Sequence, residues 1–370
     1  MKQNKVNIGI LGTGAISEIY LKNLTGVFLE IEVLGVCDIV KEAAMKAQEE
    51  FNIQKVYDKM EDMFCDPEID IVLNLTRPNE HYHTTKAALL SGKHVYSEKP
   101  LASTYEEGKE LLELAEHKGL MLGGAPDTFL GAAIQSCRKY IDDGFIGEVI
   151  GADARMVCRG HEGWHPAPEF YYKKGGGPMM DMGPYYITAL VNLAGGVKRV
   201  TGATKRSFET RMITSEPKKG TVVDVEVHTH ITGILEFCNG AVGTITTTFD
   251  VYYDQQAFLE VYGTKGTIRV PDPNGFGGKI LLFRPEEGAF KEMPLLFDYA
   301  ENSRGIGIAD MAKALADKRD FRADGQQILH VLEILTAFEK SSSKSGAVEL
   351  ETEYARRMPM KNAVVCGILD

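Results

Sequence analysis

Apolar positions change their rhythm along this chain. Up to about residue 124, short continuous apolar runs alternate with stretches in which apolar residues recur every three or four positions. Val6-Asn7-Ile8-Gly9-Ile10-Leu11, Glu32-Val33-Leu34-Gly35-Val36-Cys37, residues 69–75 and residues 93–96 read as strands. Helical patterns lie between or after them, over residues 83–90 and 106–117, and Leu120-Met121-Leu122 closes the series. Strands without polar alternation are buried on both faces, and their alternation with helices predicts a doubly wound parallel sheet.

Past residue 148 the pattern becomes strand-rich. Residues 223–231 alternate apolar and polar with a period of two. Leu235-Glu236-Phe237-Cys238 and Val242-Gly243-Thr244-Ile245 flank Asn239-Gly240, a hairpin signal, and residues 262–267 read as a second turn between strands. Helices are predicted at 134–141, 305–317 and 324–342, with a last short strand at 347–350. The expectation is an antiparallel sheet packed on helices, and a division into residues 1–124 and 125–370, the last helices packing back on the first domain.

The turn after the first strand adds chemistry to this pattern. In Gly12-Thr13-Gly14-Ala15-Ile16-Ser17, Gly12 permits a tight exit and Gly14 lets the backbone approach a pyrophosphate. The N–H groups of Ala15 and Ile16 would face the phosphates at a helix start, and Ser17 is small enough for close helix–strand packing. Asp38 ends the second strand about 20 residues on, where a ribose hydroxyl acceptor is expected. A plain strand–turn–helix is the alternative, but glycines, helix, strand and acid occur in register. A nicotinamide dinucleotide follows, NAD rather than NADP because Asp38 repels a 2′-phosphate; Lys41 keeps NADP open.

Composition narrows the setting. The 370 residues are 44% apolar and carry a net charge of −11, against a nucleic-acid or anionic membrane partner. Six cysteines (37, 65, 137, 158, 238 and 366) are scattered without a C-x-x-C pair, so neither a zinc site nor a disulfide framework is expected. No signal peptide precedes the first strand, and no apolar run reaches the ~20 residues of a membrane span, so a cytoplasmic protein is expected.

Three further clusters carry candidate chemistry. Glu98-Lys99-Pro100 follows a parallel strand, at the sheet edge where ligands bind. Pro100 keeps Lys99 extended, and an ammonium there would polarise a developing alkoxide; a solvated loop lysine is the plain alternative. In Gly175-Gly176-Gly177-Pro178-Met179-Met180-Asp181-Met182-Gly183-Pro184-Tyr185 the glycines open a helix, placing Asp181 and Tyr185 on one face. A tyrosine near a cation serves as a proton carrier, while a capping acid and a half-buried ring are the alternative. Trp164, His165, Glu169, Tyr171 and Tyr172 form an aromatic, polar run suited to a sugar-like ligand, unless the single Trp is core. His81 and His83 would flank a nicotinamide or merely begin a helix, and Arg155 and Arg159 would face an acidic substrate or pair on the surface. No spacing argues for a metal.

Taken in order, these motifs resemble the glucose–fructose oxidoreductase/inositol dehydrogenase/MocA (Gfo/Idh/MocA) family. The matching residues are Gly12 and Gly14, Thr76 with Pro78 and His81, Gly92-Lys93-His94-Val95 leading to Glu98-Lys99-Pro100, Gly144-Phe145-Ile146-Gly147-Glu148-Val149, Asp181-x-Gly183-x-Tyr185, and Gly263-Thr264-Lys265-Gly266. The resemblance spans nearly the whole chain. It implies an α/β chain: a Rossmann domain, then a substrate and oligomerisation domain with a large open, mostly antiparallel sheet. It implies a homodimer or homotetramer through that sheet. Thr76, Pro78, His81, Glu98 and Lys99 would join the cofactor site. Lys99 would be the central catalytic residue, assisted by Asp181 and Tyr185, with Trp164, His165 and Tyr172 on the substrate. The implied activity is NAD(P)-dependent oxidation of a hydroxyl of a sugar, polyol or related molecule; a redox-assisted glycosidase and a non-catalytic nucleotide-binding regulator are the rivals. Two departures stand out. Tyr185 replaces the histidine of many members, as in a tyrosine-containing subset, and Pro126-Asp127-Thr128-Phe129 replaces an Asn-x-Arg-Phe-like sequence, so the substrate pocket is expected to differ.

Overall fold

A computed structural model describes residues 5–252, 258–361 and 367–370; Cys366 lies outside them. The chain forms two compact units. The first comprises Met1–Gln135, Leu296–Leu329 and Arg357–Asp370, and the second Ser136–Leu295 and His330–Arg356.

In the first unit, strands and helices alternate: β1 (Val6–Leu11), α1 (Ser17–Gly26), β2 (Ile31–Cys37), α2 (Lys41–Phe51), β3 (Lys55–Tyr57), α3 (Met60–Cys65), β4 (Ile71–Asn74), α4 (His81–Leu90), β5 (His94–Ser97), α5 (Tyr105–Lys118) and β6 (Leu122–Gly124). The six strands are parallel, in the order β3-β2-β1-β4-β5-β6. Ile8, Ile10, Ile71, Leu73, Val95 and Tyr96 are buried in the middle strands, as their uninterrupted apolar runs require. α5 shows how local sequence bounds an element. Thr104 and Glu107 close a capping box at its start, and Gly119 ends it in the left-handed region. The chain reverses between β1 and β4, so the connections after these strands diverge and open a crevice at their carboxyl ends.

Segments far along the chain cluster with this sheet. α6 (Ala132–Asp142) straddles the two units. Continuing along the chain, the second unit holds β7 (Val149–Val157), α7 (Pro178–Asp181), α8 (Gly183–Ala194), β8 (Val197–Lys205), β9 (Thr210–Met212), β10 (Val222–Asp224), β11 (His230–Phe237), β12 (Val242–Thr248), β13 (Phe258–Gly263), β14 (Thr267–Val270), β15 (Ile280–Phe283) and β16 (Phe290–Met293). α9 (Ile306–Asp317) returns to the first unit, α10 (Gly325–Lys344) straddles the units, and β17 (Val348–Glu349) completes the second. Buried ionic contacts anchor the returning segments. Asp310, wholly buried on α9, pairs with Arg322 at 2.6 Å and Arg319 at 2.8 Å, and Arg322 also reaches Asp370 at 2.7 Å. The partners of Arg322 lie 12 and 48 residues away in sequence, and hydrophobic periodicity carries no information about such polar partners.

Among the described residues, the main sheet of the second unit has nine strands in the order β16-β15-β14-β13-β7-β12-β11-β8-β17. All neighbours are antiparallel except β7 and β12. α8 packs on β7 and β13, and every one of its residues is buried. Asn239-Gly240 turns β11 into β12, with Gly240 at φ +91°. Two sequence expectations change here. The alternating run 223–231 is not one strand: β10 ends at Asp224, pairs with β9 in a separate two-stranded sheet, and β11 begins at His230. The helix expected to carry Asp181 and Tyr185 together is two helices, α7 and α8, meeting at Met182. Their i,i+4 spacing therefore does not place them on one helical face. Among the described residues no helix is long and apolar enough to cross a membrane.

Candidate active site

Within the first unit, Gly12, Asp38, Thr76 and Lys99 all follow the carboxyl ends of neighbouring parallel strands, β1, β2, β4 and β5. Gly12 sits at φ +99°, and its N–H donates to Cys37 O at 2.8 Å, tying the ends of β1 and β2. A Cβ there would lie 2.7 Å from Leu75 O, so only glycine fits. Gly14 differs: a Cβ built on it meets no protein atom within 4 Å. Gly14, Ala15 and Ile16 are exposed, and α1 starts at Ser17 without a side-chain cap. Ser17 folds its hydroxyl back onto Gly14 O at 2.7 Å. An exposed glycine turn running into an uncapped helix start suits a pyrophosphate.

Asp38 is held beside this turn. Its Oδ2 accepts from the Thr13 N–H at 2.6 Å and the Thr13 hydroxyl at 3.1 Å, and its Oδ1 accepts from Val40 N–H at 2.8 Å. The carboxylate is thereby fixed beside the glycine turn. Glu98 is likewise committed on both oxygens, to the Tyr20 hydroxyl at 2.8 Å and to the Lys99 N–H at 2.8 Å. Burial, and then the Glu98 charge, push the Tyr20 phenol well above its usual range. Glu98 thus fastens α1 to the turn that carries Lys99.

His81 does not present its ring to a ligand. It is 1% exposed, with Nδ1 2.7 Å from Pro100 O and Nε2 2.9 Å from Thr76 O. Burial lowers its pKa below the ordinary histidine value. The ring links the loop after β4 to the loop after β5, tying Thr76 to Pro100. Pro78 stands in the turn entering α4, its carbonyl 3.4 Å from the His81 N–H. Asn74, which sequence reading passed over, organises the same corner. Its Oδ1 accepts from Thr76 N–H and hydroxyl at 3.1 and 2.7 Å, and its amide donates to Thr84 at 2.6 Å. Asp127, in the stretch that departs from the family pattern, is 1% exposed and accepts from the N–H groups of Gly305 and Gly307 at the start of α9.

Within the second unit, Asp181 ends α7 and Tyr185, 8% exposed, lies in the first turn of α8. A residue that sequence reading missed stands opposite Asp181: His161 Nε2 is 3.3 Å from Asp181 Oδ2. His161 packs with Trp164, Tyr171 and Phe249, and Trp164 and Tyr171 in turn touch His165. The single Trp is 64% exposed, so it is not core. His165 accepts from Ala167 N–H at 3.0 Å through Nδ1, and burial lowers its pKa. Tyr172 does not join this cluster as a substrate contact. It is fully buried; its hydroxyl donates to Glu162, whose carboxylate also takes Arg211 at 2.8 Å, while Arg211 reaches Asp250 at 3.1 Å. Tyr172 holds the loop in place from below.

Two family models cover most of the chain. Residues 6–124 match an oxidoreductase family with an NAD-binding Rossmann fold, and residues 134–269 match a GFO/IDH/MocA C-terminal domain. The chain belongs to the Gfo/Idh/MocA oxidoreductase family. As a Gfo/Idh/MocA member it is an NAD-binding oxidoreductase. An uncharacterized oxidoreductase of Schizosaccharomyces pombe is 27% identical, covering 80% of this chain and 85% of that one. D-glucoside 3-dehydrogenase of Escherichia coli is 26% identical over 70% of this chain and 75% of its own. In structure, levoglucosan dehydrogenase in complex with NADH and L-sorbose superposes with a TM-score of 0.81 at 21% identity, over 94% of this chain and 99% of that one, which establishes the common fold.

Proposed function

We propose that this oxidoreductase is a dehydrogenase of a sugar or polyol hydroxyl, with Lys99, Tyr185 and Asp181 as its catalytic residues. The observation that carries the reading is Lys99 at the carboxyl end of β5, its backbone held by Glu98, on the same sheet edge as the Gly12–Gly14 turn and Asp38. The open space over Gly14, the uncapped start of α1 and Asp38 fixed beside the turn fit NAD in preference to NADP. NAD, when bound, supplies the hydride acceptor. The chain supplies the rest. Lys99 stabilises the alkoxide that develops as the hydroxyl ionises, and Tyr185 takes the proton. Asp181 accepts a hydrogen bond from the substrate. The exposed Trp164 and the half-buried His165 offer an aromatic, hydrogen-bonding surface to a sugar ring. Relatives named as dehydrogenases of D-glucosides, D-xylose and inositols support the substrate class. The family resemblance further supports a cytoplasmic homo-oligomer formed through the nine-stranded sheet.

The test is reduction of NAD or NADP followed at 340 nm against a panel of sugars, inositols, sugar acids and dihydrodiols. Lys99→Ala and Tyr185→Phe are expected to lose about 10²–10⁴-fold in turnover, the usual worth of a general acid–base, with NAD binding retained. Near wild-type turnover in Lys99→Ala overturns the assignment.

A further inference from the structure

We infer that His161 is a positioning residue for the reaction: its imidazole orients the Asp181 carboxylate. The inference rests on the reading of Asp181 given above and extends it to a residue no motif marks. The two side chains come from different elements. Asp181 ends the four-residue α7, and His161 lies in the loop that follows β7. A carboxylate at the end of so short a helix takes its orientation from contacts with other elements. His161 reaches Asp181 from its loop, with Nε2 3.3 Å from Oδ2.

The imidazole is itself held. Tyr171, Phe249 and Trp164 pack on it with ring centroids at 4.3, 4.7 and 5.3 Å and interplanar angles of 59°, 65° and 74°. Three rings at these distances leave the imidazole little room to change rotamer. The loop is fixed from beneath by the Tyr172–Glu162–Arg211 contacts, and the Trp164 and His165 N–H groups donate to the His161 carbonyl at 3.3 and 2.9 Å. His161 and Asp181 are only 13% and 17% exposed, so solvent competes weakly for the pair. A ring packed edge-on and tilted against three aromatic neighbours, with one nitrogen on a carboxylate oxygen, transmits the rigidity of the aromatic cluster to Asp181. The cluster therefore does more than offer a surface to a sugar: it sets the orientation of the acid.

The experiment compares His161→Phe, His161→Gln and wild type on the substrate found at 340 nm, with Lys99→Ala alongside. Phenylalanine keeps the aromatic packing and removes the nitrogen; glutamine places an amide nitrogen near the position of Nε2. His161→Phe is expected to retain the wild-type melting temperature and NAD-induced thermal shift while kcat falls roughly 10–100-fold, the scale of an ångström-size misplacement. KM changes much less, and His161→Gln recovers most of the loss. A His161→Phe enzyme with kcat within about twofold of wild type overturns the inference, as does a loss that glutamine does not restore. Full activity in Lys99→Ala, or a wild type inert toward the whole panel, overturns instead the reading on which the inference rests.

Discussion

Alanine at Gly12 and at Gly14 adds the same methyl group to the same turn, and the structure assigns it opposite consequences. At Gly12 the backbone is at φ +99° and the new Cβ would sit 2.7 Å from Leu75 O, a backbone atom that cannot rotate aside. A non-glycine residue in that region costs about 1–3 kcal/mol, and the clash adds to it. A loss of about 2–4 kcal/mol lowers the melting temperature by roughly 5–15 °C at the usual sensitivity of domains this size. At Gly14 the new Cβ meets nothing within 4 Å, and the residue is not among the positive-φ glycines. Alanine there leaves the apo protein unchanged or steadier by about 0.4–1 kcal/mol, through the unfolded chain. Its cost appears only with cofactor, because the methyl group fills the approach to the pyrophosphate. NAD at about 100 times Kd stabilises the wild type by about 2.7 kcal/mol, whereas a hundredfold loss of affinity leaves about 0.4 kcal/mol at the same concentration. Thermal unfolding of the three proteins with and without NAD reads both effects. Gly14→Ala with a wild-type NAD-induced shift refutes the assignment of the turn to the pyrophosphate, and Gly12→Ala with a wild-type melting temperature refutes the steric argument.

Two predictions concern the buried charges of the first unit. Asp310→Ala removes the carboxylate that pairs with Arg319 and Arg322, leaving buried guanidinium charge uncompensated; urea unfolding is expected to show a loss of about 3–5 kcal/mol. Asp127 makes stability depend on pH: burial pushes its pKa up to about 6, against the Gly305 and Gly307 N–H groups that favour the anion. The folded state then binds the proton more tightly than the unfolded state. This contribution is complete below about pH 4 and is lost as pH rises through 6, about 3 kcal/mol in all. Asp127→Asn should flatten stability between pH 4 and 7 in urea titrations, and an unchanged slope refutes the assignment.

How far the sequence reports the molecule can be followed residue by residue. Strands of the parallel sheet were legible because burial on both faces leaves uninterrupted apolar runs such as Val6–Leu11. Gly12, Gly14, Asp38 and Lys99 were legible because strand ends and glycines mark their own geometry in a local stretch. Residues 223–231 misled because alternation reports one buried face and not which sheet the strand joins; β10 joins β9 instead of the large sheet. Asp181 and Tyr185 kept their places in the second unit, but the break at Met182 shows that a spacing of four has meaning only on an unbroken helix.

The sequence by itself determined the alternation of strands and helices, the glycine turn with its acid, and the residue types available for hydride and proton chemistry. These depend on neighbours a few residues away, within reach of backbone sterics and periodicity. The tertiary structure alone decided which side chains are spent on the protein itself. His81 is taken by two carbonyls, Tyr172 by Glu162, and Asp127 by the start of α9. It also brought His161 to Asp181 across 20 residues. A hydrogen bond is satisfied by whatever partner the fold delivers, and nothing in the local pattern of a chain records that delivery.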